Sequence, residues 1–154
     1  MKQTTFLILL FLFCFIKLYS QEIDSTNVYY KALKTHLSDK EEFYSNNPKL
    51  KRPEVFYVEK NEYTTNQIPN IISGKTIKIV TQEDLFTLFK TQKLVSIIAI
   101  RPASWKNGSL RINVIDFFVI RNGKKLEYTN TGGSEFEINN FTFKKSERLH
   151  GSYD

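Results

Sequence analysis

One carboxylate, Asp116, stands in the most apolar stretch of the chain and is the first candidate for chemistry. The stretch LRINVIDFFVI, residues 110–120, has the composition and alternation of a long β-strand. A buried carboxylate in such a strand takes a raised pKa and can act as a general acid or base, whereas an outward-facing one is an ordinary surface group. The role of Asp116 therefore depends on which face of the sheet it occupies.

Two Asn-Gly pairs predict how the strands around Asp116 pair. Residues 107–108 and 122–123 are both Asn-Gly, the preferred centre of a two-residue hairpin loop, and such a loop fixes register. Counting back from the first loop places Ala99 opposite Asp116, with Arg101 diagonally beside it on the same face. The other face is then a core, made of Ile98, Ile100, Ile115, Phe117, Val119, Leu126 and Tyr128.

The face that carries Asp116 is predicted to be a mixed apolar and polar surface. Asp116 and Arg101 form an ion pair in this register, with Trp105 and Phe118 as apolar walls beside it. Pockets with a few polar groups on an apolar lining are where small ligands bind. The sequence therefore predicts a ligand-binding site made of Arg101, Trp105, Asp116 and Phe118. A β-bulge between Val114 and Phe118 would instead bury the acid and make Asp116 a candidate catalytic residue with a raised pKa.

The remaining motifs support no specific chemistry. SGKT, residues 73–76, resembles the end of a phosphate-binding loop, but Pro69 stands where the first glycine belongs and the following residues alternate like a strand. His36 and His150 show no metal-ligand spacing, so the sequence predicts neither a metal site nor a cofactor. A serine-histidine-acid triad stays open as an alternative, because its members are brought together by the fold and not by sequence spacing.

The N-terminal residues resemble a bacterial secretory signal peptide. Lys2 is followed by FLILLFLFCFI, an unbroken apolar run of 11 residues, and Ser20 is a small residue at a plausible cleavage position. The run falls within the about 7 to 15 residues of a signal core and well short of the roughly 20 that span a bilayer. We expect residues 1–20 to be a signal peptide and the protein to be exported, to the periplasm or outside the cell. An uncleaved membrane anchor is the alternative.

Residues 21–154 are expected to form a single domain that folds without disulfides. The only cysteine, Cys14, lies in the predicted signal segment. A chain of this length buries roughly two-thirds of its unfolded surface, so it needs no covalent cross-links. The net charge of +6 is modest, and the basic cluster KLKR at residues 49–52 is short. We therefore expect no nucleic-acid partner, and membrane contact only through the signal segment.

Two helices and a series of strands position these side chains. STNVYYKALKTHLSDK, residues 25–40, has apolar residues at helical spacing behind Ser25 and Thr26 as candidate N-caps. TQEDLFTLFKTQ predicts a shorter helix with a capping box between Thr81 and Asp84. Strands are predicted at VFYVE, TIKIV, LVSIIAI, LRINVIDFFVI, KKLEYT, EFEI and FTF. The expected fold class is α+β, with both helices packed on one face of a curved antiparallel meander of about five to six strands. A polar, loosely ordered tail is expected from about residue 144.

Two functions of different class fit this description. The favoured one is an exported non-enzymatic domain that binds a small amphipathic ligand or an envelope protein through the mixed sheet face. It is favoured because the sequence shows no nucleophile-base pair and no metal signature. The alternative is a small exported hydrolase or lyase-like enzyme that uses Asp116 together with a tyrosine or histidine from elsewhere in the fold.

Overall fold

The computed structural model describes residues 27–64, 68–139 and 142–150, and only the backbone at residues 139 and 142–150. The predicted signal segment lies outside these residues. Two helices are described, α1 (Val28–Asn46) and α2 (Gln82–Leu88). The described strands are β1 (Val55–Glu59), β2 (Ile71–Ile72), β3 (Lys75–Val80), β4 (Leu94–Ile100), β5 (Ser104–Lys106), β6 (Ser109–Asn122), β7 (Lys125–Asn139) and β8 (Thr142–His150).

The described strands form one mixed sheet. Seven of them follow in the order β2-β3-β1-β4-β6-β7-β8, and β5 continues the line of β4 beside the first residues of β6. β1 runs parallel to both β3 and β4, whereas the other pairs are antiparallel. The α+β class and the mostly antiparallel sheet are confirmed, with more strands than the predicted five to six. The crossover from β3 through α2 to β4 makes β3 and β4 parallel to each other, and β1 lies between them in the same direction.

The two helices cover opposite faces of the sheet, and the predicted placement on one face is wrong. Leu37 of α1 lies in one core with Ile98, whereas Leu85 of α2 lies in a second core with Ile97. Successive strand residues point to opposite faces, so the neighbours Ile97 and Ile98 serve different cores. We call the two sides the α1 face and the α2 face. Burial on both sides explains why LVSIIAI in β4 is almost continuously apolar.

Local capping sets both helix starts. The side chain of Asn27 accepts hydrogen bonds from the backbone N–H groups of Tyr29 and Tyr30, and the predicted caps Ser25 and Thr26 lie outside the described residues. α1 continues to Asn46, six residues beyond the predicted helical stretch 25–40. The predicted capping box of Thr81 and Asp84 at α2 is confirmed. Within the described residues, no helix combines the length and apolar character that crossing a bilayer requires.

The C-terminal strands are longer than predicted. β7 joins KKLEYT and EFEI, which the sequence predicts as separate strands, because residues 126–138 pair with β6 through one irregularity at a glycine pair. The backbone from Thr142 to His150 pairs with β7 as β8, so the region of the predicted loose tail is strand up to His150.

The pairing of β4 with β6 differs by one residue from the predicted register. Lys106 does face Ser109 across the first Asn-Gly loop, as predicted. However, Ile98 and not Ala99 lies opposite Asp116, because the segment 101–103 between β4 and β5 holds one extra residue. The segment contains a proline, which has no N–H for a ladder hydrogen bond. Residues that face each other across strands share a face, so Asp116 lies on the α1 face with Ile98.

The second loop and a β-bulge complete the register around Asp116. Asn122 pairs with Lys125, so the loop is Gly123-Lys124 and the register differs by two residues from the prediction, which leaves the faces unchanged. Opposite the step from Asp116 to Phe117, β7 carries one extra residue, Thr131. The bulge that the sequence analysis considers lies within β6, between Val114 and Phe118, whereas the structure has its extra residue on β7. Asp116 is buried because of the one-residue difference at the segment 101–103.

Candidate functional site

Asp116 lies beneath α1 at the centre of a group of polar side chains. Its side chain is 13% exposed, and its Oδ1 accepts a 2.8 Å hydrogen bond from Lys40 Nζ. The same oxygen lies 3.2 Å from Nε2 of His36, a residue that is 3% exposed. The other ring nitrogen, Nδ1, lies 3.1 Å from Oγ of Ser134, which is 2% exposed. We call these four residues the Asp116 cluster.

Helix and strand periodicity bring the cluster together. His36 and Lys40 are four residues apart on α1, and residues at this spacing are neighbours on one side of a helix. Ser134 lies opposite Val114 in the β6–β7 pair, and Val114 is two residues from Asp116, so all three point to the α1 face. Gly132, opposite Asp116, brings no side chain into the space beside the carboxylate.

The cluster holds Asp116 in its ionised form. Burial alone raises the pKa of Asp116, but hydrogen bonds and charge from His36 and Lys40 outweigh it and lower the pKa from 3.8 to about 2. The raised pKa that the sequence predicts for a buried Asp116 is therefore wrong. Tyr44, one turn beyond Lys40, has a raised pKa because of burial and then the charges of Asp116 and Glu41. A carboxylate this acidic is an anchor for cations and a poor general acid at neutral pH.

Ser134, His36 and Asp116 form a hydrogen-bonded series with the residue types of a catalytic triad. In a working triad, a substrate carbonyl must reach the serine oxygen. Here Ser134 and His36 are buried between the sheet and α1. These hydrogen bonds connect α1 with β6 and β7. Ser134 could act as a nucleophile only if α1 moved away from the sheet and let a substrate reach it.

Acid is expected to remove the contribution of Asp116 to stability between about pH 4 and about pH 2. The pKa in the folded protein, about 2, lies below the ordinary 3.8, so the unfolded chain takes up the proton first as the pH falls. The stabilisation, roughly 2 kcal/mol, is complete above the unfolded pKa and is lost through the folded one. Urea unfolding of the native chain and of Asp116→Asn at a series of pH values measures it. The difference between the two free energies should shrink on acidification, and a constant difference would contradict the assignment.

The structure does not bring Arg101 to Asp116, so the predicted ion pair is wrong. Arg101 lies on the α2 face, where its Nη1 is 3.1 Å from Oε2 of Glu59. Its guanidinium carbon also stands 5.7 Å from the ring centroid of Phe117. The cause is the one-residue difference in register between β4 and β6, which sends Arg101 and Asp116 to opposite faces.

The two aromatic residues of the predicted binding site are also apart. Trp105 lies on β5 opposite Leu110 and is 74% exposed. Phe118 is exposed on the α1 face, two residues along β6 from Asp116. Of the four predicted ligand-binding residues, only Asp116 and Phe118 are near neighbours on one face, and the four do not line one groove.

A cleft lies on the α2 face, where β1 and β3 end and α2 begins. Its volume is about 390 Å³. The lining combines the apolar residues Val80, Leu85 and Ile97 with the polar residues Glu59, Lys60, Thr81, Gln82 and Tyr128. Burial and then the charge of Glu59 raise the pKa of Tyr128, so the phenol lies within the field of that carboxylate. The cleft therefore combines apolar side chains with the carboxylate of Glu59, which already forms an ion pair with Arg101.

Several residues of both sites escape sequence reasoning. The spacing of His36 and Lys40 on a helix was a usable signal, because it places both on one helix face. Ser134 and Tyr128 give no local signal, since they meet their neighbours only through strand pairing. Among the residues that the structure describes, no group of three or more histidine, cysteine, aspartate or glutamate side chains is arranged to hold a metal ion.

Comparison with known proteins finds no relative. No family model matches the chain, and neither a curated protein nor a solved structure matches it. An argument for function must therefore start from the residues and geometry of the sites themselves.

Proposed function

We propose that this protein is an exported, non-enzymatic domain that binds a small amphipathic ligand in the cleft on the α2 face. The observation that carries the proposal is the cleft, whose volume of about 390 Å³ lies in the range of small-molecule sites. Its mixed lining is the kind of surface that the sequence predicts, although it lies on the opposite face from Asp116. Export rests on the resemblance of residues 1–20 to a signal peptide.

The lining determines the kind of ligand. Ile97 and Leu85 offer contact to an apolar group. The carboxylate of Glu59 accepts hydrogen bonds, so a head group with an amine or hydroxyl donor suits it. The hydroxyl of Tyr128 can both donate and accept beside it. Nη1 of Arg101, 3.1 Å from Oε2 of Glu59, holds the carboxylate in place.

Native mass spectrometry of the protein purified from its host is expected to show a retained small molecule with an apolar part and a donor group. Glu59→Gln should then weaken binding about tenfold, since a charge-assisted hydrogen bond becomes a neutral one. Trp105→Ser is the matched control, because Trp105 is exposed on β5 and does not line the cleft. Loss of binding in Trp105→Ser or Phe118→Ser, with Glu59→Gln unaffected, would move the ligand to the surface that the sequence predicts.

The alternative function is a small exported hydrolase that uses the Asp116 cluster. The series Ser134, His36 and Asp116 favours it, because residues of these types act together in acyl transfer. The burial of Ser134 and His36 favours a structural role instead. Screening the native chain against esters and amides, with Asp116→Asn as a paired sample, separates the two. Any activity that Asp116→Asn retains in full would exclude Asp116 from catalysis.

A further inference from the structure

Most of the large apolar side chains that the structure describes as exposed lie at one edge of the sheet. β1, β3 and β4 run parallel and begin at this edge, β6 ends there, and β7 begins there. Leu94 and Ile120 face each other as an exposed pair, and Ile71 is exposed beside the start of β3. Leu50 is exposed in the loop between α1 and β1, and Phe43 is exposed near the end of α1.

Ion pairs hold these segments together. Oε2 of Glu41, near the end of α1, lies 3.3 Å from Nη1 of Arg52 and 3.0 Å from Nζ of Lys75. These contacts join α1, the loop before β1 and the start of β3. The fold therefore holds these segments in fixed positions relative to one another. We call this end of the sheet, where Phe43, Leu50, Ile71, Leu94 and Ile120 are exposed, the basic edge.

Basic residues occur in the same segments as the exposed apolar ones. The lysines and arginines at this edge are Lys49, Lys51, Arg52, Lys75, Lys90, Lys93, Arg121, Lys124 and Lys125. The acids there are Glu41, Glu42, Glu54 and Glu127. Glu41 pairs with Arg52 and Lys75, and Glu127 accepts a hydrogen bond from Asn122. The surface thus carries a strong excess of positive charge around separate apolar side chains.

We infer that the basic edge docks on an anionic lipid membrane. Apolar side chains that enter the headgroup region, together with lysines that meet lipid phosphates, are how a folded domain binds a membrane surface. The apolar residues come from separate segments and alternate with lysines, whereas a protein interface usually has a continuous apolar core without lysine. The excess of lysine and arginine is complementary to the charge of anionic lipid.

Docking at this edge leaves the cleft open. The cleft lies where β1 and β3 end, at Glu59 and Val80, and the basic edge lies where the same strands begin. The two surfaces are therefore at opposite ends of the strands. The inference adds a second membrane contact to the signal segment that the sequence predicts, and it stands whether or not the cleft binds a ligand.

Vesicle sedimentation tests the inference with the full protein as its host exports it. We expect binding to vesicles of phosphatidylcholine with phosphatidylglycerol, and at least about tenfold weaker binding to phosphatidylcholine alone. The double change Lys124→Glu with Lys125→Glu should reduce binding to the anionic vesicles at least about tenfold. Ile120→Ser should weaken it several-fold, since an exposed apolar anchor is lost.

The control reverses the same amount of charge elsewhere. Lys31→Glu with Lys34→Glu changes two lysines on the first turns of α1, away from the basic edge. This variant should bind anionic vesicles within about threefold of the native chain, because contacts beyond a Debye length are screened. Equal losses in the two double variants would overturn the inference, and so would equal binding of the native chain to neutral and anionic vesicles. Ligand binding in the cleft should be the same in all of these variants.

Discussion

Replacing Gly133 with alanine is expected to lower the free energy of unfolding by roughly 3 to 5 kcal/mol. A Cβ atom at this position would lie 2.2 Å from the backbone oxygen of Val114 and 2.9 Å from Cα of Ile115. Both obstacles are backbone atoms of the central strand β6, so no side chain can rotate away to relieve the overlap. Gly133 also has a φ of +154°, which L side chains rarely adopt.

Urea unfolding monitored by circular dichroism measures the loss. Gly123→Ala is the control, because Gly123 also has a positive φ, +61°, but no atom stands within 4 Å of its Cβ position. It should lose only the backbone strain, about 1 to 2 kcal/mol. Losses of equal size at the two glycines would mean that β7 moves away from β6 at little cost. Because Ser134 follows Gly133, such a movement would also disturb the Asp116 cluster.

Replacing Asp116 with alanine is expected to lower the free energy of unfolding by about 3 kcal/mol at neutral pH. The change leaves His36 and Lys40 without their shared acceptor under α1. The value is at the low end of the range for a broken buried pair, since Lys40 keeps some contact with water. Asp116→Asn keeps an acceptor and loses the charge, so it should cost roughly 2 kcal/mol, in line with the lowered pKa of Asp116.

The same unfolding experiment on Glu59→Gln provides a matched control. The Glu59 and Arg101 pair has a similar distance, 3.1 Å, but its side chains are more exposed to solvent, 31% for Glu59 and 43% for Arg101. Its loss should therefore cost less than about 1 kcal/mol. If Asp116→Ala lowered the free energy of unfolding by no more than Glu59→Gln does, the burial of the Asp116 cluster would add nothing to stability.

The elements set by local interactions are predictable from the sequence. α1 follows from helical spacing of its apolar residues, and the start of α2 follows from the capping box of Thr81 and Asp84. β1, β3 and β4 follow from short apolar and alternating runs. The first Asn-Gly loop predicts the pairing of Lys106 with Ser109 because a two-residue turn constrains the residues beside it.

The face of Asp116 could not be predicted in the same way. The β4–β6 register that is counted back from the loop at residues 107–108 is wrong beyond the segment 101–103. One extra residue in this segment places Arg101 and Asp116 on opposite faces. Pro102 marks this segment as a place where the ladder can be interrupted, but it does not show that the segment holds one residue more than the facing part of β6. The parallel pairing of β1 with β3 and β4 is likewise decided by tertiary structure, through the connection from β1 to β3 and the crossover from β3 through α2 to β4.

The sequence by itself determined the helices, most of the strands, the α+β class and the lack of a metal or nucleotide signature, because these follow from residues close together in the chain. Only the tertiary structure decided which polar side chains meet. His36 is 80 residues from Asp116 and 98 from Ser134, and the contacts among them depend on how α1 lies across β6 and β7. The cleft and the basic edge depend in the same way on strand direction, since parallel strands collect their starts at one edge and their ends at the other.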